Sequence, residues 1–287
     1  MDDNMNIIEP IKSGTQLLEE IKNTSPGKGV AIWWLGQSGF VIKSNMAIVY
    51  IDIYLSEQLT EKYKDSPNPH IRMTRAPFRG TDIFDADLVI STHRHSDHMD
   101  RPTVTGLLDN CPDAKFIFPT AHKDYVSLWG DYENRLIPAV VDEEIILEDL
   151  VIIPQPAKHE KFEFSQLTGY PYMSYIIKSE ETVLYHSGDT LPYSGMVERV
   201  KKHGVDVLLL PINGRDKRRH SFGTAGNFTP QEALCFAELA GAKMLIPHHY
   251  DMFTFNTADI NEFRELATEL YPDLDCQILS CGERKFL

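Results

Sequence analysis

Four short apolar runs in this chain each give way to a histidine or an aspartate. "DLVIST" leads into His93, "LVIIPQPAK" into His159, "TVLYHSG" into Asp189 and "KMLIPH" into His249. Runs of this length, rich in Val, Ile and Leu, read as buried strands. In layered α/β proteins, ligand-binding groups gather beyond the carboxyl ends of strands. Any fold for this chain must therefore bring the four ends together.

The rest of the pattern agrees with such a fold. A helix is expected around "TQLLEEIKN", then consecutive strands through "GVAIWWLGQSGFVIKSNMAIVYIDIYL", with Trp33 and Trp34 in the core. "AHKDYVSLW" reads as helical, one hairpin turns near Asp149, and a second turns at Ser179–Glu181. "MVERVKKHG" reads as a helix ended by Gly204, and "VDVLLLPI" as a buried strand. "FTPQEALCFAELAGAK" has a capped helix start: Thr229 as N-cap, Pro230 in the first turn, Glu232 completing a capping box and Gly241 as the stop. "DINEFRELATELY" reads as one more helix and "CQILS" as a last strand. Strand runs come first and strand–helix alternation follows, which predicts α/β layers with sheets inside and helices outside. Residues 1–28 are expected to form a polar lead-in and residues 29–287 a single domain. Residues 56–82, polar and carrying Pro67, Pro69 and Pro77, read as a long loop or lid.

Composition narrows the partners. The chain has 287 residues and a formal net charge of −14, which disfavours a phosphate backbone and so excludes nucleic acid as a first choice. Its four cysteines form no CxxC pair, as expected of a protein from a reducing cytoplasm. The acidic start "MDDNMNIIEP" has no apolar core of a secretory signal. No apolar run approaches the roughly 20 residues of a membrane span.

The densest chemistry lies in "STHRHSDHMD", where His93, His95, Asp97 and His98 form an HxHxDH pattern. Imidazole and carboxylate are donors for Zn²⁺, Mn²⁺ or Fe. One short loop does not wrap a single ion with four side chains, but it can give two donors to each of two neighbouring ions. With His159, Asp189 and His249 the set has seven members, which divide into two half-sites bridged by Asp189. A pair of ions so held activates a shared water and clamps a substrate oxygen. Taken alone, HxHxDH is also compatible with a solvated polar loop; the three further strand ends favour the metal site.

These residues, with "WWLGQSGFVIKS", "LYHSGDT" and "MLIPHHYDMF", resemble the metallo-β-lactamase superfamily from Trp33 to Ser280, and within it the L-ascorbate-6-phosphate lactonase-like group. The resemblance implies a four-layered αββα sandwich and two divalent metal ions, Mn or Zn. It places His93, His95 and His159 in the first site and Asp97, His98 and His249 in the second, with Asp189 shared. It selects His249 over its neighbour His248 as the last ligand and makes Asp52 an acid that orients ligand histidines. It implies a hydrolase using a metal-bridging hydroxide, with Asp97 as ligand and proton acceptor. The substrate it suggests is an acidic or phosphorylated sugar lactone. A phosphodiesterase on a small or lipid-derived substrate and a non-catalytic metal-bound scaffold are the alternatives. Different loops at residues 56–82 and 213–228 separate this chain from the lactonase itself.

Several other residues need placing. His186, three before Asp189, is expected as a hydrogen-bonded pocket residue. The basic run "RDKRRH" is either solvated or holds a substrate anion through Arg218 or Arg219; Arg72, Arg75 and Arg79 offer a second anion site. His70, His122 and His203 are expected at the surface, and Cys235 and Cys281 as small buried hydrophobes. The expected partner is a small anionic molecule, with no nucleic acid and no membrane; a homo-oligomer stays open.

Overall fold

Side chains alternate along the strands of the first sheet, and that alternation sets the layers. The computed structural model describes residues 7–287; the first six residues, part of the start read above as lacking a secretory signal, lie outside them. The first sheet contains β1 (Ala31–Trp34), β2 (Phe40–Lys43), β3 (Ile48–Ile51), β4 (Leu88–Ile90), β5 (Lys115–Pro119) and β6 (Leu136–Ala139). Ile32, Trp34, Phe40, Ile42, Val49, Ile51, Leu88 and Ile90 point into one core. Their neighbours Ala31, Trp33, Val41, Tyr50 and Val89 point into another. A sheet with two apolar faces must be covered on both.

The second sheet supplies one cover. It contains β7 (Ile145–Leu147), β8 (Leu150–Pro156), β9 (Met173–Lys178), β10 (Val183–His186), β11 (Val207–Pro211), β12 (Met244–His248) and β13 (Asp275–Cys276). A final strand, β14 (Arg284–Phe286), returns to the edge of the first sheet beside β1. The orders are β14-β1-β2-β3-β4-β5-β6 and β13-β12-β11-β10-β9-β8-β7. Each sheet is antiparallel at one side and parallel at the other: β3 to β6 run parallel, as do β10 to β13.

Helices supply the outer layers. On the first sheet, α1 (Gly14–Asn23) buries Leu17 and Ile21, and α3 (Arg101–Asn110) buries Val104, Leu107 and Leu108. On the second, α5 (Met196–Lys201), α7 (Pro230–Ala240) and α8 (Ile260–Leu270) contribute Val200, Leu234 and Phe263 to the shared core. The result is the αββα sandwich. Part of the polar lead-in belongs to this body, since Trp33 Nε1 donates to Glu20 of α1 at 3.0 Å. The capping box of α7 forms as expected: Glu232 N donates to Thr229 Oγ1 and Thr229 N donates to the Glu232 carboxylate.

Four expectations change. "AHKDYVSLW" is mostly a short 3-10 turn followed by α4 (Lys123–Val126). "CQILS" pairs only through β13, because the chain then leaves that edge and crosses to the first sheet, where Gly282 N donates to Trp34 O. His122 is buried, its Nε2 donating to Pro171 O at 2.8 Å, while His70 and His203 are half-buried. Cys235 is half-buried on α7, whereas Cys281 is buried as expected.

Candidate metal centre

The site sits where strand ends from both sheets meet. Asp52 follows β3, the His93–His98 turn follows β4, His159 follows β8, Asp189 follows β10 and His249 follows β12. Two bonds from His98 N and Met99 N to His95 O fold the turn after β4 tightly. His249 and Asp52 both adopt positive φ, 65° and 48°, a backbone region that L-residues other than Gly use sparingly. Such conformations persist when surrounding bonds hold them. His249 N donates to Gln37 O at 2.9 Å, and Asp52 N donates to Ile90 O at 2.9 Å.

Two triads result. His93, His95 and His159 present donor atoms within 4.8 Å of one another, and so do Asp97, His98 and His249. Asp189 stands between them: Oδ1 is 3.3 Å from His98 Nε2, while Oδ2 is 3.4 Å from His249 Nε2 and 3.8 Å from His159 Nε2. His93 Nε2, His98 Nε2, Asp189 Oδ1 and His249 Nδ1 are buried without a hydrogen-bond partner. Each unpaired buried group costs about 1–3 kcal/mol, so His93 Nε2, His98 Nε2 and Asp189 Oδ1, gathered in one place, call for a ligand; His249 instead turns Nε2 to the site. Imidazole nitrogens and carboxylate oxygens, with no thiol among them, fit two divalent cations.

The electrostatics agree. Burial holds His93 well below the usual histidine range and His159 down to about 4, leaving both rings neutral. His98 behaves oppositely. Burial opposes its charge, but Asp189, Asp52 and Asp97 together hold it well above the usual range. The three carboxylates thus demand positive charge beside His98, which a metal ion supplies equally well.

Neighbouring groups fix the rings. His98 Nδ1 donates to Asp52 Oδ2 at 2.7 Å, which turns Nε2 toward the site. Asp52 also accepts from Thr92 N and Thr92 Oγ1, each at 2.7 Å. His159 stacks on Tyr172 with centroids 4.7 Å apart. His249 reaches the site, while His248 stacks on His186 and sets its Nδ1 3.1 Å from Ser38 Oγ. His186 donates from Nε2 to Ser38 O and accepts at Nδ1 from Gly188 N. It is hydrogen-bonded as expected, but it is fully buried and absent from the cavity lining.

A residue with no role assigned by sequence also enters. Gln37 is buried with φ of 50°, and its side-chain nitrogen lies 2.8 Å from Asp97 Oδ2 and 3.1 Å from His249 Nε2. The "LGQSGF" segment marks a turn, but only the fold places it against residues 97 and 249.

A cavity of about 580 Å³ opens onto His95, Asp97, His159, Asp189 and His249. The segment expected as a lid contributes α2 (Gln58–Tyr63) and residues 66–70 to its wall. Lys62 and Arg94 are its lysine and arginine. The arginines expected to hold an anion are engaged elsewhere. Arg219 anchors its loop to Asn213 O and Asn256, and the exposed Arg218 does not line the cavity. Instead Phe222 to Ala225, just after α6 (Lys217–Ser221), form that part of the wall. Arg72 is buried against Tyr54 O, Ser56 O and Thr74 O, Arg75 pairs with Glu9, and Arg79 pairs with Asp82.

Comparison with known proteins matches this architecture. A family model described as a beta-lactamase superfamily domain matches residues 66–250. The chain is 27% identical to a protein of Escherichia coli O45:K1 (strain S88) named "Probable L-ascorbate-6-phosphate lactonase UlaG", over 88% of this chain and 78% of that one. Its fold resembles Igni18, a metallo hydrolase of Ignicoccus hospitalis (TM-score 0.65, 23% identity, 89% of this chain and 97% of that chain). It also resembles an isothiocyanate hydrolase from Delia radicum gut bacteria (TM-score 0.70, 18% identity, 90% and 98%).

Proposed function

The chain belongs to the beta-lactamase superfamily, and we propose that it is a metal-dependent hydrolase whose substrate is a small acidic lactone. The observation that carries this reading is the position of Asp189, within 3.8 Å of histidines from both triads. His93, His95 and His159 would hold one divalent ion, and Asp97, His98 and His249 a second, with Asp189 common to both. Such a pair, Mn²⁺ or Zn²⁺, supplies an acidified water and a Lewis acid for the carbonyl.

The chain's own groups do the rest. Asp97 lines the cavity, and its charge is favoured: burial opposes it, but His98 and His249 hold the carboxyl below its usual range. It is therefore ionised at neutral pH, takes the proton released as water adds to the carbonyl, and returns it to the ring oxygen as the lactone C–O bond breaks. Gln37 keeps that carboxylate in place. Lys62 and Arg94 attract an acidic group on the substrate. They would serve a phosphodiester equally well, which makes phosphodiester hydrolysis the second reading. The relative named as a lactonase supports the first. Among the described residues no helix is long and apolar enough to cross a membrane. The four free cysteines support the cytoplasmic setting that we propose.

The test is a side-by-side assay of Mn²⁺- and Zn²⁺-reloaded protein on lactones, phosphodiesters and β-lactams, with metal content measured in each sample. Up to two ions per chain and preference for a lactone are expected. His93→Ala with His95→Ala should empty one site, and Asp189→Asn should disturb both. Reloaded wild type that holds no metal overturns the reading.

A further inference from the structure

The cavity has a second part that the hydrolytic chemistry does not require. Tyr63 and His70 stack with centroids 4.3 Å apart, and the His70 ring meets Phe253 and Phe255 edge-on at 5.0 and 4.7 Å. All four rings line the cavity. They come from two segments, the strap that carries α2 and the loop after β12. His70 Nδ1 is engaged with Asn68 O at 3.1 Å.

This wall is backed by packed side chains. Phe253 and Leu59 are buried together with Tyr54 and Met252 in a small separate core. That core fastens the strap to the body. Tyr63 and Phe255 remain half-buried, and Phe222, also in the lining, is 53% exposed. Tyr63 and Phe255 pack against that core on one side, and with Phe222 they line the cavity with apolar surface that stays partly open. Ligand pockets commonly combine a preformed apolar surface with a few placed polar groups.

We propose that this aromatic wall is a specificity subsite, and that the substrate is amphiphilic: its non-reacting part is an aryl ring or short alkyl chain laid against Tyr63 and Phe255, which the buried Phe253 backs. The inference rests on the hydrolase reading and deepens it. The reacting carbonyl lies at the metal centre, an acidic group faces Lys62 or Arg94, and the apolar part fills the aromatic end. A bare polyol would leave that end wet and gain little there, because burial of apolar surface is what the wall offers.

Binding of hydroxamates to metal-reloaded protein, followed by calorimetry, separates the two ideas without requiring turnover. Acetohydroxamate reports the metal centre alone, while hexanohydroxamate and benzohydroxamate add a chain or a ring. Affinity should rise by roughly fourfold for each methylene that reaches the wall. Benzohydroxamate should bind roughly tenfold more tightly than acetohydroxamate. Phe255→Ala should shrink the benzo-to-aceto ratio by most of that factor, and Phe222→Ser, at an exposed position, should reduce it in a variant whose folding is not at risk. Equal affinities for the three probes, or a ratio unchanged in both variants, overturn the subsite and leave the hydrolase reading standing. Failure of acetohydroxamate to bind reloaded protein overturns the hydrolase reading and the subsite with it.

Discussion

The Gln37 side-chain nitrogen donates to Asp97 Oδ2 at 2.8 Å, joining the turn between β1 and β2 to the turn after β4. Hydrogen bonds to charged groups contribute about 1.5–3 kcal/mol. Gln37→Ala should therefore lower kcat by roughly ten- to hundredfold, with smaller effects on metal content. Gln37→Glu should be worse, since it sets a second carboxylate beside Asp97. The measurement is kcat and metal stoichiometry on the same samples; wild-type turnover in both variants would remove Gln37 from the machinery.

Asp52 controls the histidine that Asp189 also approaches. Asp52→Asn replaces an acceptor for His98 Nδ1 with a group that can present N–H there, and the ring loses its enforced tautomer. Loss of such a partner typically lowers metal affinity about 10- to 100-fold. Competition with a chelator would measure it. An unchanged affinity would mean that His98 is oriented by packing alone.

Gly188 has φ of 57°, and a Cβ there would lie 2.6 Å from Thr92 Oγ1, the hydroxyl that donates to Asp52. Gly188→Ala combines backbone strain with a collision inside the site, and a loss of roughly 2 kcal/mol or more is expected. Gly204 is the control: φ is 65°, but nothing lies within 4 Å of its Cβ position. Gly204→Ala should cost only about 1 kcal/mol. Urea unfolding of the two variants checks the difference, and equal losses would show that steric contact with Thr92 plays no part.

His122 links stability to pH. Burial holds it down to about 4, against a usual value of 6.5, despite the bond to Pro171 O. Below pH 6.5 the unfolded chain takes up a proton that the folded chain refuses until about pH 4, so folding weakens as pH falls through that window. The whole effect is at most about 3 kcal/mol. His122→Gln should lose less stability than wild type between pH 6.5 and 4. Parallel pH profiles for the two proteins would place the proton elsewhere.

Much of the site could be read because its residues follow the strands that place them. An apolar run that stops at a histidine carries both the element and the ligand in one stretch, as before His93 and His249. Gln37 had no such signature; its role depends on two residues 60 and 212 positions away. The aromatic wall was equally hidden, since Tyr63 and His70 lie in a proline-bearing segment without periodicity, and Phe255 becomes their neighbour only in the fold. Charge runs misled in another way. "RDKRRH" is conspicuous in an acidic chain, but Asp216 and Asn256 claim Arg219, and the lone Arg94 within HxHxDH lines the cavity instead. β14 escaped notice because three residues with two charges make a strand only when β1 offers an edge.

The donor set draws on both sheets, with the His93–His98 turn from the first and His159, Asp189 and His249 from the second. Neither half of the sandwich owns a complete triad. Each triad is complete only once the halves have docked, so full affinity for an ion would be conditional on assembly and its removal would act on the seam between them. By mass action, ligand concentration then tunes how firmly the halves stay closed. Metal supply would set the working lifetime of the fold as well as the rate of its chemistry.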